Sequence, residues 1–263
     1  MSIWIYNDWY RNQDGIDLLA RAEACVFCRK SLRHLMKGLA DKPTWEFDKR
    51  IVRVCDSCGW WTVESYVTLE YIGCFRCAIQ GAVGQLKQLD LGDQANPIDE
   101  IRTYLMAKYA ERFSLDPWKY EEVVASVYAD FGYTPRVTAR TNDGGVDIML
   151  DGPDDILIGV QVKRYKDKIG VDQIRSLTGA LYLEGMTRGI FVTTSSFTKG
   201  AMKAAEQSAF RGVPIELVEA TRFYEALDLA QTNRYQDATD PEAPFSKAEL
   251  LYLSYIEEFY GTG

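Results

Sequence analysis

The sequence is poor in histidine and has no long apolar run. His34 is the only histidine among 263 residues, which excludes any site that needs two or more imidazoles. No stretch of about 18 apolar residues occurs, so we expect neither a membrane-spanning helix nor a membrane partner. The segment MSIWIYNDWYRNQD at the start lacks the basic residues and apolar core of a secretory signal. A cytoplasmic protein is therefore the expectation.

Composition is that of a globular protein, with 47% hydrophobic and 26% charged residues. The length predicts one large domain and a smaller module. A formal net charge of −8 does not indicate a general nucleic-acid binder. Basic residues are nevertheless concentrated, because residues 161–203 contain eight Lys or Arg against three Asp or Glu, and residues 21–60 nine against five. Solvated helix faces would explain part of this contrast, and a phosphate-binding groove would also produce it.

All six cysteines precede position 80 and form three CxxC pairs. Two pairs, Cys25 with Cys28 and Cys55 with Cys58, are separated by about two dozen residues, a spacing typical of a four-cysteine zinc ribbon. Such a Zn²⁺ site would be structural, because four thiolates leave no coordination position for water. Buried or redox-active cysteines are the alternative.

The third pair, Cys74 and Cys77, is harder to assign. A second complete metal site would need His34 and an acidic residue, or a partner subunit. We therefore expect this pair to be unligated or to compete for the same zinc. Redox chemistry is possible for a CxxC pair, but the expected βαβ context is absent.

Three regions follow from these patterns. Residues 1–96 are predicted to form a Cys-rich, zinc-ribbon-like module, residues 97–230 an α/β (α+β) domain, and residues 231–263 a C-terminal loop and helix. Gly92–Pro97 has the composition of a connector between the first two. Residues 47–54 alternate like a strand that leads into the second cysteine pair. The apolar spacing of residues 250–259 predicts the C-terminal helix.

The middle region predicts the element order αβββαβαβα, which gives a mixed sheet flanked by helices. Helical periodicity, capping residues and continuous apolar runs place its boundaries. The predicted helices are Ile98–Phe113, one that begins at Asp116-Pro117 and ends near Gly132, Val171–Glu184, Thr198–Ser208 and Thr221–Leu229. The predicted strands are Pro135–Arg140, Val146–Leu150, Ile156–Val162, Gly189–Thr194 and Pro214–Glu219.

Polar residues interrupt two of these apolar strands. Asp147 follows the turn Asn142–Gly145 and is the first polar residue of its strand, and a buried carboxylate needs a partner. Alternation along the next strand places Gln161 and Lys163 on one face. A hairpin would bring them beside Asp147. A carboxylate, an amide oxygen and a backbone carbonyl suit Mg²⁺ or Mn²⁺, and a neighbouring lysine can orient water and stabilise phosphate charge. The pattern indicates phosphodiester hydrolysis.

Residues 116–218 resemble the catalytic domain of the Mrr family of restriction endonucleases. The resemblance runs, in order, through PWKYEEVVASVYADFGY, TNDGGVDI, VQVKRYKDKIGVDQIRSLTGA and GIFVTTSSFTKGA. It implies a PD-(D/E)XK core in which Asp147 is a metal ligand, Lys163 the catalytic lysine, and Gln161 replaces the commoner acidic residue. It also implies Glu121 as a further ligand, since Tyr120-Glu121 matches the family's aromatic-Glu pair; from its position alone, Glu121 could equally complement the helix dipole. The neutral Gln161 removes one negative charge, so Glu121 or Asp143 would matter more.

Four other polar residues near the lysine are candidates for binding nucleic acid. Arg164 and Lys166 follow Lys163, and Gln173 and Arg175 open the next helix, where they could reach a phosphate or be solvated helix positions. Residues 193–196 end a strand before a helix whose N-terminus could hold a phosphate, although strand and N-cap chemistry is the simpler explanation.

The sequence thus predicts a Mg²⁺-dependent DNA endonuclease with a zinc-binding module for recognition or assembly. The resemblance implies a defence role that restricts foreign DNA, and it favours a homodimer or a partner protein. No GxxxxGK[ST] motif occurs, so the chain is not itself a DNA motor. A non-catalytic nucleic-acid-binding or assembly protein and a nuclease for RNA or branched DNA are the alternatives. In the module, Arg50, Arg53, Trp60 and Trp61 could touch nucleic acid or a partner, but the tryptophans more often form core.

Overall fold

A computed structural model describes residues 3–8, 23–38, 46–71, 74–138, 145–152 and 156–237 of the chain. The chain divides into two compact units, one formed chiefly by Met1–Gln88 and the other by Leu89–Ala230. Within the described ranges, no helix combines the length and the apolar character needed to cross a membrane.

The first unit is an antiparallel sheet of five strands in the order β1-β5-β4-β3-β2. The predicted strand before the second cysteine pair is present as β3. The long strands β4 and β5 were not predicted, and Cys74 and Cys77 lie in β5, with side chains outside the described residues. The five strands are β1 (Trp4–Asp8), β2 (Arg33–Gly38), β3 (Glu46–Val54), β4 (Trp61–Tyr71) and β5 (Cys74–Leu86).

Trp60 and Trp61 are buried, which confirms the prediction that they form core. The indole N–H of Trp60 donates to the carbonyl of Gly84 at 2.8 Å. Arg53 is also buried, so neither it nor the two tryptophans offers a free surface for nucleic acid.

The second unit begins at Leu89 and therefore includes the whole predicted connector, Gly92–Pro97. Leu89 and Leu91 are buried, and the amide of Asp116 donates to the carbonyl of Leu91 at 2.8 Å. The side chain of Asn96 donates to the carbonyl of Asp90. Residues 89–97 are therefore packed onto the second unit, and the division between the units falls at Gln88.

A single helix over residues 98–113 was predicted, and this prediction is wrong in one respect. Helix α1 covers Ile98–Ala107, and a 3-10 helix covers Tyr109–Ser114. The break lies at Lys108, whose backbone angles (φ −137°, ψ 57°) are not helical. Short 3-10 segments of this kind commonly act as connectors.

Helix α2 (Pro117–Asp130) forms as predicted. Asp116 caps it by accepting hydrogen bonds from the amides of Trp118 and Lys119, and Pro117 occupies the first turn. Its apolar face is buried against the strands that follow. The chain leaves the helix through Gly132, which has a φ of +88° that favours glycine.

The second sheet has the order β10-β9-β8-β7-β6. Strands β6, β7 and β8 pair antiparallel, whereas β8, β9 and β10 pair parallel, so the mixed sheet flanked by helices is confirmed. Observed boundaries lie within a few residues of the predicted ones, except at the C-terminal end of the last helix. The elements are β6 (Thr134–Val137), β7 (Ile148–Asp151), β8 (Leu157–Lys163), α3 (Val171–Leu183), β9 (Arg188–Thr193), α4 (Lys199–Phe210), β10 (Ile215–Val218) and α5 (Ala220–Asp237).

Helix α3 packs closely on the middle of this sheet because two paired glycines admit it. Gly159 in β8 is the register partner of Gly189 in β9. A Cβ atom at either position would lie 2.5 Å and 2.4 Å, respectively, from a methyl carbon of Leu181 in α3. Gly159 therefore faces α3, and alternation places Gln161 and Lys163 on that same face.

Helix α5 corrects the prediction of a loop from residue 231. The helix continues to Asp237, with Ala230 and Gln231 both buried. The predicted C-terminal helix over residues 250–259 lies outside the described residues.

Candidate active site and metal centre

Asp147 is fixed at the entrance of the β7–β8 hairpin. It lies one residue before β7, whose first residue Ile148 pairs with Val160, the neighbour of Gln161. Its amide donates to the carbonyl of Val160 at 2.8 Å, and its Oδ2 accepts from the amide of Val162 at 2.6 Å. Its side chain is 6% exposed. The carboxylate is therefore buried and aimed at the backbone of the central strand.

Lys163 ends strand β8 beside this carboxylate. Its Nζ lies 3.9 Å from Asp147 Oδ2, and its side chain remains 30% exposed. This lysine therefore extends from the buried acid towards solvent.

Gln161 lies on the face of the sheet that α3 covers. It is 6% exposed, and it lies two residues along the strand from Gly159, which faces α3. Gly145 adjoins it with a φ of +91°, and a Cβ there would lie 3.6 Å from Gln161 Nε2 and 3.7 Å from Ala180 Cβ. The positive φ favours glycine at this turn, whereas a Cβ there would make only ordinary van der Waals contacts.

Glu121 lies in the second turn of helix α2, next to the wholly buried Tyr120. The helix packs against β7, which Asp147 precedes by one residue, and against β8, which bears Gln161 and Lys163. Glu121 itself is half-buried. Asp143, the other carboxylate considered from the sequence, lies outside the described residues.

The donor set fits a hard divalent cation. Asp147 and Gln161 supply oxygen atoms, the ligand type that Mg²⁺ and Mn²⁺ prefer. A divalent cation would be a suitable partner for these two buried polar side chains.

The four residues predicted to bind nucleic acid fall into two groups. Gln173 Oε1 accepts from the amide of Gly170 at 2.8 Å and so caps its own helix. The guanidinium of Arg164 donates to the carbonyl of Phe113 in the 3-10 helix. Lys166 and Arg175 are exposed. The Nη1 atom of Arg175 lies 3.9 Å from Oδ1 of Asp172, one helical turn away. Of the four, only Lys166 and Arg175 have exposed side chains.

Sequence reasoning missed Arg112 in the 3-10 helix. Its Nε donates to the carbonyl of Thr194 at 3.0 Å, and its guanidinium lies 4.1 Å from the ring centre of Phe113. It thereby ties the 3-10 helix to the end of β9. No periodic or motif signal marks this residue in the sequence.

The first unit contains a separate cluster of four thiols. The Sγ atoms of Cys25, Cys28, Cys55 and Cys58 all lie within 4.8 Å of one another. The closest pairs are 3.3 Å and 3.5 Å apart, far beyond the roughly 2.05 Å of a disulfide bond. Sulfur atoms on a tetrahedron around zinc at about 2.3 Å would be about 3.8 Å apart. The residues therefore fit a four-thiolate zinc site.

The two cysteine turns have the same backbone design. The amides of Cys25 and Cys55 donate to the carbonyls of Lys30 and Trp60, five residues further along each turn. The residue after the second cysteine has positive φ in both turns, 63° at Arg29 and 70° at Gly59.

Close contact among the four thiols lowers the pKa of some of them and raises the pKa of others. The hydrogen bond with Cys25 is the largest cause that lowers the pKa of Cys28 and also the largest that raises the pKa of Cys58. A bound cation would favour the thiolate form at all four positions.

Comparison with known proteins shows which proteins the second unit is similar to. Residues 113–227 match the family model of the Mrr catalytic domain, described as restriction endonuclease. The type IV methyl-directed restriction enzyme EcoKMrr of Escherichia coli strain K12 is 32% identical over 123 residues, which cover 43% of this chain and 40% of that enzyme. The protein y4cE of Sinorhizobium fredii is 31% identical over 109 residues and is covered to 28%. The chain thus spans less than half the length of either relative.

Among solved structures, MspJI restriction endonuclease in complex with a 27-mer oligonucleotide aligns with a TM-score of 0.35 at 18% identity. The alignment covers 53% of this chain and 32% of that one.

Proposed function

Since residues 113–227 belong to the Mrr family of restriction endonucleases, we propose that this chain is a divalent-metal-dependent endonuclease that hydrolyses DNA phosphodiester bonds. The grouping of Asp147, Gln161 and Lys163 at one end of the central hairpin carries this proposal. All three fall within the matched segment, and two of them, Asp147 and Gln161, are buried polar residues.

Each residue has a distinct role in the proposed reaction. Asp147 and Gln161 would hold Mg²⁺ or Mn²⁺ through oxygen atoms, and Glu121 is the proposed additional ligand from helix α2. A bound divalent cation would supply Lewis-acid polarisation of the scissile phosphate. Lys163 orients the attacking water and stabilises negative charge on the phosphate oxygens. The water oxygen bonds to phosphorus, one P–O ester bond breaks, and the leaving oxygen takes up a proton.

The exposed charges near the site support DNA as the substrate. Lys166 and Arg175 are proposed to contact backbone phosphates, since neither has its charge buried in the protein. Arg164 and Gln173, which use polar atoms within the protein, are proposed to support this surface and to contact DNA only through their remaining donors.

The four-thiol cluster of the first unit is proposed to hold one structural Zn²⁺. The assignment rests on the mutual Sγ distances and on the matched geometry of the two turns. We further propose that the protein acts in the cytoplasm as a homodimer or with a partner protein in defence against foreign DNA. Cutting two strands from one site per chain requires either two copies or two sequential events.

Plasmid cleavage tests the catalytic proposal. Supercoiled DNA is incubated with the full chain and Mg²⁺ or Mn²⁺, and rates are compared for the unaltered protein, Asp147→Ala and Lys163→Ala. We expect each variant to lose about two to three orders of magnitude in rate, as with removal of one charge-stabilising group. Lys203→Ala, an exposed lysine of α4, is the matched control and should retain the full rate.

Equal rates in the unaltered protein and both site variants would refute the catalytic role. A panel that adds single-stranded DNA, RNA and branched DNA separates the proposed substrate from the alternatives. Cleavage confined to RNA or to junctions would reject the assignment to duplex DNA, while retention of binding without cleavage would favour a non-catalytic protein.

A further inference from the structure

Three successive hydroxyl groups continue the pairing of β8 and β9 beyond the end of the backbone ladder. The last backbone pair is Lys163 with Thr193. From there the hydroxyl of Thr193 donates to the carbonyl of Lys163 at 3.0 Å, that of Thr194 to Tyr165 at 2.9 Å, and that of Ser195 to Lys166 at 3.1 Å. The segment that leaves β8 is therefore held by side chains where the strand itself has ended.

The carbonyl of Lys163 is the best-fixed group of this segment. It accepts two hydrogen bonds, one from the hydroxyl of Thr193 and one from the amide of Thr194 at 3.2 Å. The hydroxyl of Thr193 also accepts from the amide of Ser195 at 3.2 Å. Thr193 and Thr194 are 0% exposed, so water does not replace these bonds when they are lost.

The strand end that bears these hydroxyls is anchored in turn by two arginines. Arg112 donates to the carbonyl of Thr194, and Arg164 donates to the carbonyl of Phe113. The ends of β8 and β9 are thus both tied to the 3-10 helix. A shift of the Lys163 backbone would have to break several of these contacts together.

We propose that Thr193 is a positioning residue for Lys163, through the hydrogen bond from its hydroxyl to the carbonyl of Lys163. The lysine ammonium ends a stem of four rotatable bonds, and its place 3.9 Å from Asp147 depends on where the backbone starts. Thr193 fixes that start from the neighbouring strand. The proposal rests on the proposed function of Lys163, so its test includes one measurement that does not require cleavage.

The first measurement is steady-state DNA cleavage by two variants of the protein with substitutions at position 193. Thr193→Val keeps the shape and removes the hydroxyl, whereas Thr193→Ser keeps the hydroxyl. We expect Thr193→Val to lower kcat by about 10- to 100-fold with KM within about twofold, because misplacing a catalytic group by a fraction of an ångström to 1 Å costs this much. Thr193→Ser should stay within about threefold of the unaltered protein.

The matched control is Thr103→Val in helix α1. Thr103 is also buried, and its hydroxyl donates to a backbone carbonyl, that of Asp99, away from the site. Loss of the Thr103 hydroxyl should lower thermal stability and leave kcat and KM unchanged. If Thr193→Val does not fold, Thr193→Ala, which also lacks the hydroxyl, takes its place.

The second measurement observes Lys163 directly by NMR after reductive methylation of the full chain with ¹³C formaldehyde. The Lys163 signal is identified by its absence from Lys163→Arg. We expect this signal to shift or broaden in Thr193→Val and to match the unaltered protein in Thr193→Ser.

The outcomes separate the two proposals. An unchanged Lys163 signal and an unchanged kcat in folded Thr193→Val would overturn the positioning role. If the unaltered protein cuts no substrate, the proposed function fails, and the NMR comparison alone decides whether Thr193 positions Lys163.

Discussion

Gln161 occupies a buried position where a carboxylate would bind a divalent cation more strongly. Gln161→Glu adds one negative charge beside Asp147, so we expect the metal concentration for half-maximal rate to fall by about tenfold, since ligand charge tunes cation affinity. Without metal, two buried carboxylates repel each other, and the melting temperature should fall until Mg²⁺ is added. Cleavage against metal concentration and melting with and without Mg²⁺ measure both effects.

Gln207→Glu is the control for this change, because it makes the same substitution on the exposed side of helix α4. It should alter neither the metal dependence nor the melting response. Metal titrations that superimpose for Gln161→Glu and the unaltered protein would remove Gln161 from the metal site.

For single residues, the sequence predicts those positions that local rules, such as strand alternation, determine. The hairpin that brings Asp147 next to the strand of Gln161 depends on alternation and a short separation along the chain, and the structure has that hairpin. The cap formed by Gln173 and the contact of Arg164 with Phe113 were not predicted. The second of these joins residues 51 positions apart, a distance at which no local pattern operates. The catalytic roles themselves stay predictions.

At the scale of elements, the two cysteine turns differ at one backbone position that favours glycine. Arg29 has a φ of 63° where the second turn has Gly59 at 70°. Because a left-handed conformation costs an ordinary residue about 1–2 kcal/mol, Arg29→Gly should stabilise the first unit by about 1 kcal/mol after the added freedom of the unfolded chain is included. Arg29 is exposed, so few contacts are lost.

Gly59→Ala provides the reciprocal comparison and should destabilise the same unit by about 1 kcal/mol. Both changes are measured by thermal unfolding of the zinc-loaded protein. A lower melting temperature for Arg29→Gly than for the unaltered chain would mean that the Arg29 side chain stabilises the turn by more than its backbone strain.

Elements of the second unit were predictable because each has its own periodicity, cap or apolar run. Helix α2 shows this best, since Asp116, Pro117 and the buried stripe all lie within the helix or adjoin it. The break at Lys108 was not predictable, because the apolar spacing continues from Leu105 to Tyr109 across it. There the tertiary contacts of the 3-10 helix, such as that of Arg112 with Thr194, override local periodicity.

At the scale of the whole molecule, chemistry is divided between the two units. Every cysteine lies within the first 88 residues, and the proposed catalytic group lies within Leu89–Ala230. The net charge of −8 conceals local basic segments, and the charges that remain exposed beside the site are fewer than the sequence indicates, because Arg164 is used internally. A treatment that removes zinc should therefore affect the first unit and not the second.

Removal of zinc should unfold the first unit and leave the second folded. Structural zinc contributes about 10–16 kcal/mol of apparent binding free energy in small zinc-dependent peptides, which exceeds the stability of a typical domain. We expect one zinc per chain by mass spectrometry, and loss of one of two thermal transitions when a chelator or Cys55→Ser with Cys58→Ser removes it. Cys74→Ser with Cys77→Ser is the matched control and should retain both transitions and the metal. A single transition that moves as a whole would show that the two units unfold together, and a chain that binds no zinc would refute the four-thiolate site.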